Sequence, residues 1–247
     1  PELPVRAARR RPEQDGPGID RGTARETRRP RGLGRHLGLP ALHPAAVRAC
    51  RLLLDGAFQN DTGGIWNETC ITGMAVAVAA HFRVNDPRLD AIAGYLLKEQ
   101  MPDGGWNCQR SRGAKHSSFH TTINVLEGLR EYAAAGGRRR VATARAEARG
   151  REFLLDHRMY CSHRTGRPVS RALLQLSFPP RWHHDNLRGL DYFRESGARP
   201  DPRLTAAVAA LEKKRRRDGT WPLQHKHAGK VFFDMETTGK PSRWNTL

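Results

Sequence analysis

A Gly-x-Trp turn recurs three times along the chain, each time after a stretch with helical character: Gly64 and Trp66, Gly104 and Trp106, Gly219 and Trp221. Gln100 stands four residues before Gly104 and completes a Q-x3-G-x-W string, while Asn60 and Arg215 hold the matching place in the other two copies. Physical chemistry gives such a turn a clear job. An Asp-Gly step reverses the chain with positive φ at low cost, and the Trp can cover a helix end while its N–H meets a carbonyl. A turn repeated in register with helices marks an internal repeat.

The segments between the turns read as helices. "HPAAVRACRLLLDG" spaces Val47, Cys50, Leu53 and Leu54 by three and four residues, with Gly56 as a stop. Two kinds of helix then alternate. Stretches 88–100, 141–156 and 202–216 are amphipathic with a charged outer face, and two of them are preceded by the same Asp-Pro-Arg-Leu string, at Asp86 and Asp201. Stretches 68–82, 117–133 and 182–195 are more apolar or carry polar residues only at their starts. No stretch alternates as a strand. The expectation is an all-α domain, an outer ring of amphipathic helices around an inner ring buried on most sides.

Composition divides the chain in two. Residues 1–40 combine Arg, Pro and Gly with almost no large apolar side chains, so they are expected to be a disordered basic leader before a domain over 41–247. The formal charge of +18 raises nucleic acid as a partner, but the cations are mostly scattered Arg and no nucleic-acid motif accompanies them. Cys50, Cys70, Cys108 and Cys161 lie far apart without CxxC pairing, which points to reduced thiols. The longest apolar run, Ile71–Ala80, is too short to span a bilayer, and the start lacks an apolar signal core; a cytoplasmic location is expected.

The Q-x3-G-x-W string resembles the repeat of squalene-hopene and oxidosqualene cyclases, and "NETCITGM", "QMPDGGWNC", "HSSFHTTINVLEGLREY" and "FPPRWHHDNLRGLDYF" are similar to a bacterial squalene-cyclase-like family. The resemblance implies an α/α-toroid of the terpenoid-cyclase and protein-prenyltransferase type. It also implies an isoprenoid or other apolar small molecule in the central cavity, with the repeat (Gln100, Gly104, Trp106, Gly64, Trp66, Gly219, Trp221) as scaffold. Room for about four helix pairs, and a last segment "PSRWNTL" that reads as the first turn of another inner helix, lead to the expectation of an incomplete toroid. The family's chemistry does not carry over. The chain has no DxDD acid, no DDxxD, and no Asp two residues before a Cys as in the prenyltransferase zinc set.

In a toroid the inner helices run parallel, so their starts converge on one mouth. That rule selects Glu68, His116, Trp182, His183, Arg243 and Trp244 as ligand-binding candidates, joined by His163 and Arg164 of the "CSHRTGRP" loop. Cys70, Asp103, Cys108 and His120 form a candidate zinc set of soft and oxygen donors. His120 and the neighbours His184 and Asp185 are candidate acid/base groups. Capping and packing account equally for Asp, Ser and Cys at helix starts. Catalysis stays open at this stage. An isoprenoid-type protein, a non-catalytic toroid module or gene fragment, and a carbohydrate-active toroid such as a polysaccharide lyase or hydrolase all fit.

Overall fold

The computed structural model describes residues 39–57 and 68–246. Most of the expected leader, and the first turn copy at Gly64 and Trp66, lie outside the described residues. Within them the chain is mostly helical: α1 (Pro44–Ala57), α2 (Thr69–His81), α3 (Arg88–Lys98), α4 (Phe119–Ala134), α5 (Arg140–Asp156), α6 (Asn186–Glu195), α7 (Thr205–Glu212) and a single turn α8 (Arg243–Thr246). A two-residue antiparallel pair, β1 (Trp221–Pro222) with β2 (Pro241–Ser242), is a feature the periodicity did not announce.

Two helices are shorter than the sequence pattern suggests. The stretch expected from 182 becomes α6 only at Asn186, because Asp185 is extended and its carboxylate accepts from the Arg188 N–H at 2.9 Å. The stretch expected to run to 216 ends with α7 at Glu212, where five successive cations begin. Arg215 has left the helix and donates to the Gly219 carbonyl.

The helices α2, α4 and α6 pack side by side in parallel. Along α2 and α4, Cys70 lies level with Thr121, both meeting Cys108, and His81 lies level with Glu131. Between them the backbones nearly touch: a methyl group at Gly73 would stand 2.7 Å from the Asn124 carbonyl oxygen. That close approach requires glycine at 73, and Gly128 meets the Gly73 carbonyl as closely from the other helix. Along α4 and α6, His120 meets His184, Asn124 and Glu127 meet Arg188, and Arg130 meets Glu195. The amphipathic α3 runs the other way, with Asp90 hydrogen-bonded to Tyr132 at the far end of α4 and Leu96 next to Trp106 at its start. Ile92, Leu96, Trp106, Ile123, Leu126, Leu129 and Leu154 are sealed between these layers.

The repeated turn has one geometry in both described copies. Trp106 is fully buried and donates Nε1–H to the Leu96 carbonyl at 2.7 Å; Trp221 does the same to Leu211 at 2.9 Å. Gly104 and Gly219 hold φ of 92° and 85°. Gln100 donates to the Gly104 carbonyl at 2.6 Å and to Ala146 of α5 at 2.7 Å, and Arg215 takes its part toward Gly219 at 3.2 Å. The Asp-Pro-Arg-Leu strings match as well. Asp86 and Asp201 each accept from the backbone N–H two residues on and fork with the arginine there. No helix among the described residues is long and apolar enough to cross a membrane.

Candidate functional site

Because α2, α4 and α6 are parallel, their first turns lie at one end, and two groups of reactive side chains form there. The first lies between α2 and the loop before α4. Trp106 is anchored by Leu96, and the turn after it carries Cys108 against the first turn of α2. The sulfur of Cys108 accepts from the Cys70 backbone N–H at 3.1 Å and from the Thr121 hydroxyl at 3.5 Å. The Cys70 thiol stands 3.8 Å from the Glu68 carboxylate. The hydrogen bond from Cys70, followed by that from Thr121, pulls the Cys108 thiol down to about 6. Cys70 moves the opposite way, raised first by its hydrogen bond to Cys108 and then by burial. The pair therefore loses one proton easily and holds the other.

The second group surrounds a cavity of about 260 Å³ between the starts of α4 and α6, walled by His120, His183, His184, His225 and His227 together with Gln175, Ser177 and Asp185. The imidazoles form a chain of ring contacts. Trp182 stacks on His183 at 3.6 Å, His183 on His227 at 3.7 Å, and His120 meets His183 edge-on at 5.3 Å. The His184 N–H donates to Nδ1 of His120 at 2.8 Å, which assigns the proton of neutral His120 to Nε2. Burial and neighbouring imidazoles push His183 and His227 down to about 4, and burial lowers His120. At neutral pH the rings of His120, His183 and His227 are uncharged.

His184 and Asp185, expected as an acid/base pair, turn to different partners. His184 is buried with Nε2 on the Met159 carbonyl at 2.9 Å, and burial drives it to about 3. Asp185 caps α6 and accepts from the Ser177 hydroxyl at 2.6 Å, and burial raises it. Both are committed to holding the loop.

The expected zinc quartet is divided between the two groups. Cys70 and Cys108 come together, but Asp103 accepts from the Ser117 N–H and hydroxyl at 2.8 and 2.5 Å, and His120 faces the cavity instead. Glu68 takes the oxygen-donor position beside the sulfurs. His116 is exposed and its carbonyl accepts from Asn107. His163 pairs with His157 at 3.0 Å, and Arg164 lies exposed beside it. Trp244 stacks on Phe178 at 5.0 Å, and the Arg243 guanidinium lies 5.5 Å from the same ring centre, at the start of α8.

Sequence reasoning passed over Thr121, Gln175, His225, His227 and Arg188. The string His225-Lys-His227 was a visible signal, but nothing local ties it to α6. It arrives through a bridge between Ser177 and His225, with the Leu176 carbonyl accepting from both Gln224 and His225. Arg188 holds the loop that carries His183, donating to the carbonyls of Arg181 and His183 while forking with Glu127.

Comparison with known protein families, with characterised proteins and with solved structures produced no match.

Proposed function

We propose that the chain has an α/α-toroid fold of the squalene-cyclase and prenyltransferase type, whose inner-helix mouth binds an uncharged isoprenoid or a comparable apolar small molecule. The turn geometry shared by Trp106 and Trp221, and the parallel course of α2, α4 and α6, support the toroid reading. The observation that carries the ligand is the cavity of about 260 Å³ walled by imidazoles. Neutral imidazoles present apolar ring faces with a few oriented N–H and lone-pair positions. The rings of His183 and His227, held neutral, give a polyanionic sugar or a bare diphosphate no full charge to pair with, although Arg188 and the helix starts keep the surroundings positive. His120, with Nδ1 occupied and an Nε2–H to offer, can donate to a ligand hydroxyl within that wall.

The commitment of His184 and Asp185 to structural bonds favours binding without turnover, as a second reading. A thermal-shift panel separates the alternatives. Farnesol as the uncharged isoprenoid raises the melting temperature in this account, whereas uronate oligosaccharides leave it unchanged. A response to uronates alone transfers the site to carbohydrate chemistry. Product analysis after incubation then distinguishes turnover from binding.

A further inference from the structure

We infer that Glu68, Cys70 and Cys108 form a metal centre for a soft divalent cation, zinc in the first place, with one coordination position left open. Among the described residues this is the one group of three or more His, Cys, Asp or Glu side chains whose donor atoms all lie within 4.8 Å of one another. Two sulfurs and a carboxylate oxygen around a tetrahedral zinc stand roughly 3.5–3.8 Å apart, given bonds of about 2.3 Å to sulfur and 2.0 Å to oxygen. The Cys70 sulfur and the Glu68 oxygen are already at 3.8 Å. The group needs to close by at most about 1.3 Å to bind, a movement on the scale of side-chain rotation.

The donors are of the right kind. Two thiolates select zinc over magnesium or calcium, which prefer all-oxygen shells. Three protein ligands, one of them a carboxylate, match sites that keep a fourth position for water or substrate rather than closed structural sites. The surroundings supply the outer contacts such a centre needs. The Cys70 N–H and the Thr121 hydroxyl both point at the Cys108 sulfur, and Thr121 also accepts from the Cys108 N–H at 3.3 Å. Binding displaces the thiol protons. Two thiolates, one carboxylate and a divalent ion then leave a net charge of −1, which sits against the positive first turns of α2 and α4. This centre stands on its own coordination geometry and does not depend on the ligand in the imidazole cavity.

The test is metal content of the full chain purified under reducing conditions, dialysed against zinc and measured by mass spectrometry. The expected result is one equivalent. Cobalt in place of zinc gives a thiolate-to-metal charge-transfer band in the near ultraviolet. Cys70→Ser and Cys108→Ser each weaken binding by about a hundredfold and Glu68→Gln by about tenfold, while Cys161→Ser leaves it unchanged. The cobalt spectrum of the unaltered chain decides the matter if a serine variant fails to fold. Three results overturn the assignment: less than about a tenth of an equivalent, binding indifferent to Cys108→Ser, or a Cys70–Cys108 disulfide in air with no metal uptake by the reduced protein.

Discussion

Arg188 closes its guanidinium on Glu127 through two parallel bonds, Nε to Oε1 at 2.9 Å and Nη2 to Oε2 at 2.8 Å. The other edge reaches the carbonyls of Arg181 and His183 at 3.1 and 2.7 Å. One side chain, itself 10% exposed, thus joins α6 to α4 and sets the loop that brings His183 to the cavity. Arg188→Met removes the fork and releases that loop, so stability is expected to fall by about 3 kcal/mol. Arg188→Lys keeps the charge but not the planar geometry, and recovers less than half of the loss. Urea unfolding of the two variants measures both.

The repeated turn makes a separate prediction about stability. Trp106→Phe gives up the bond to the Leu96 carbonyl and leaves a gap, costing about 2 kcal/mol. Gly104→Ala places a methyl 2.6 Å from the Arg149 carbonyl oxygen at a φ of 92°, and is expected to cost at least as much. Arg215→Gln changes stability by less than about 0.5 kcal/mol, since Gln100 shows that a glutamine makes the same bond in the other copy. A large loss on Arg215→Gln would show that the two turns are not equivalent.

How far the sequence reached follows from what each feature depends on. The helices and their turns were readable because periodicity, Asp-Gly steps and buried Trp act within a few residues. Cys70 and Cys108 were readable as reactive types at a helix start and in a turn. Their partners were not. His120 and Thr121 are adjacent, yet on a helix they point about 100° apart, so Thr121 meets Cys108 while His120 meets α6. Which side each takes is fixed by the packing of three helices. Asp103 is drawn off by Ser117, and His225 and His227 reach the cavity through a bridge to Ser177. Such long-range pairings leave no local trace.

The imidazole wall gives the protein an acid-sensitive stability. His183 and His227 are held near 4 and His184 near 3, against about 6.5 in an unfolded chain. Above that value both states are neutral and this contribution vanishes. As pH falls from 6.5 toward 4, the unfolded chain binds protons that the folded one refuses, so stability drops, and the slope flattens below the folded values. Asp185, raised by burial, works in the opposite direction at the acid end. The melting temperature is expected to fall by at least about 5 °C between pH 7.5 and 5. The double variant His183→Ala, His227→Ala reduces that fall. A flat profile over the same range would show that these rings are not held neutral.

The most direct test of the binding site is a titration of the chain with farnesol at pH 7.5, followed by calorimetry and by tryptophan fluorescence. The proposal predicts saturable binding at one site, weakened about tenfold or more by His183→Ala, which removes one wall of the cavity. Binding that is absent in the folded chain, or that persists unchanged in His183→Ala, would contradict it.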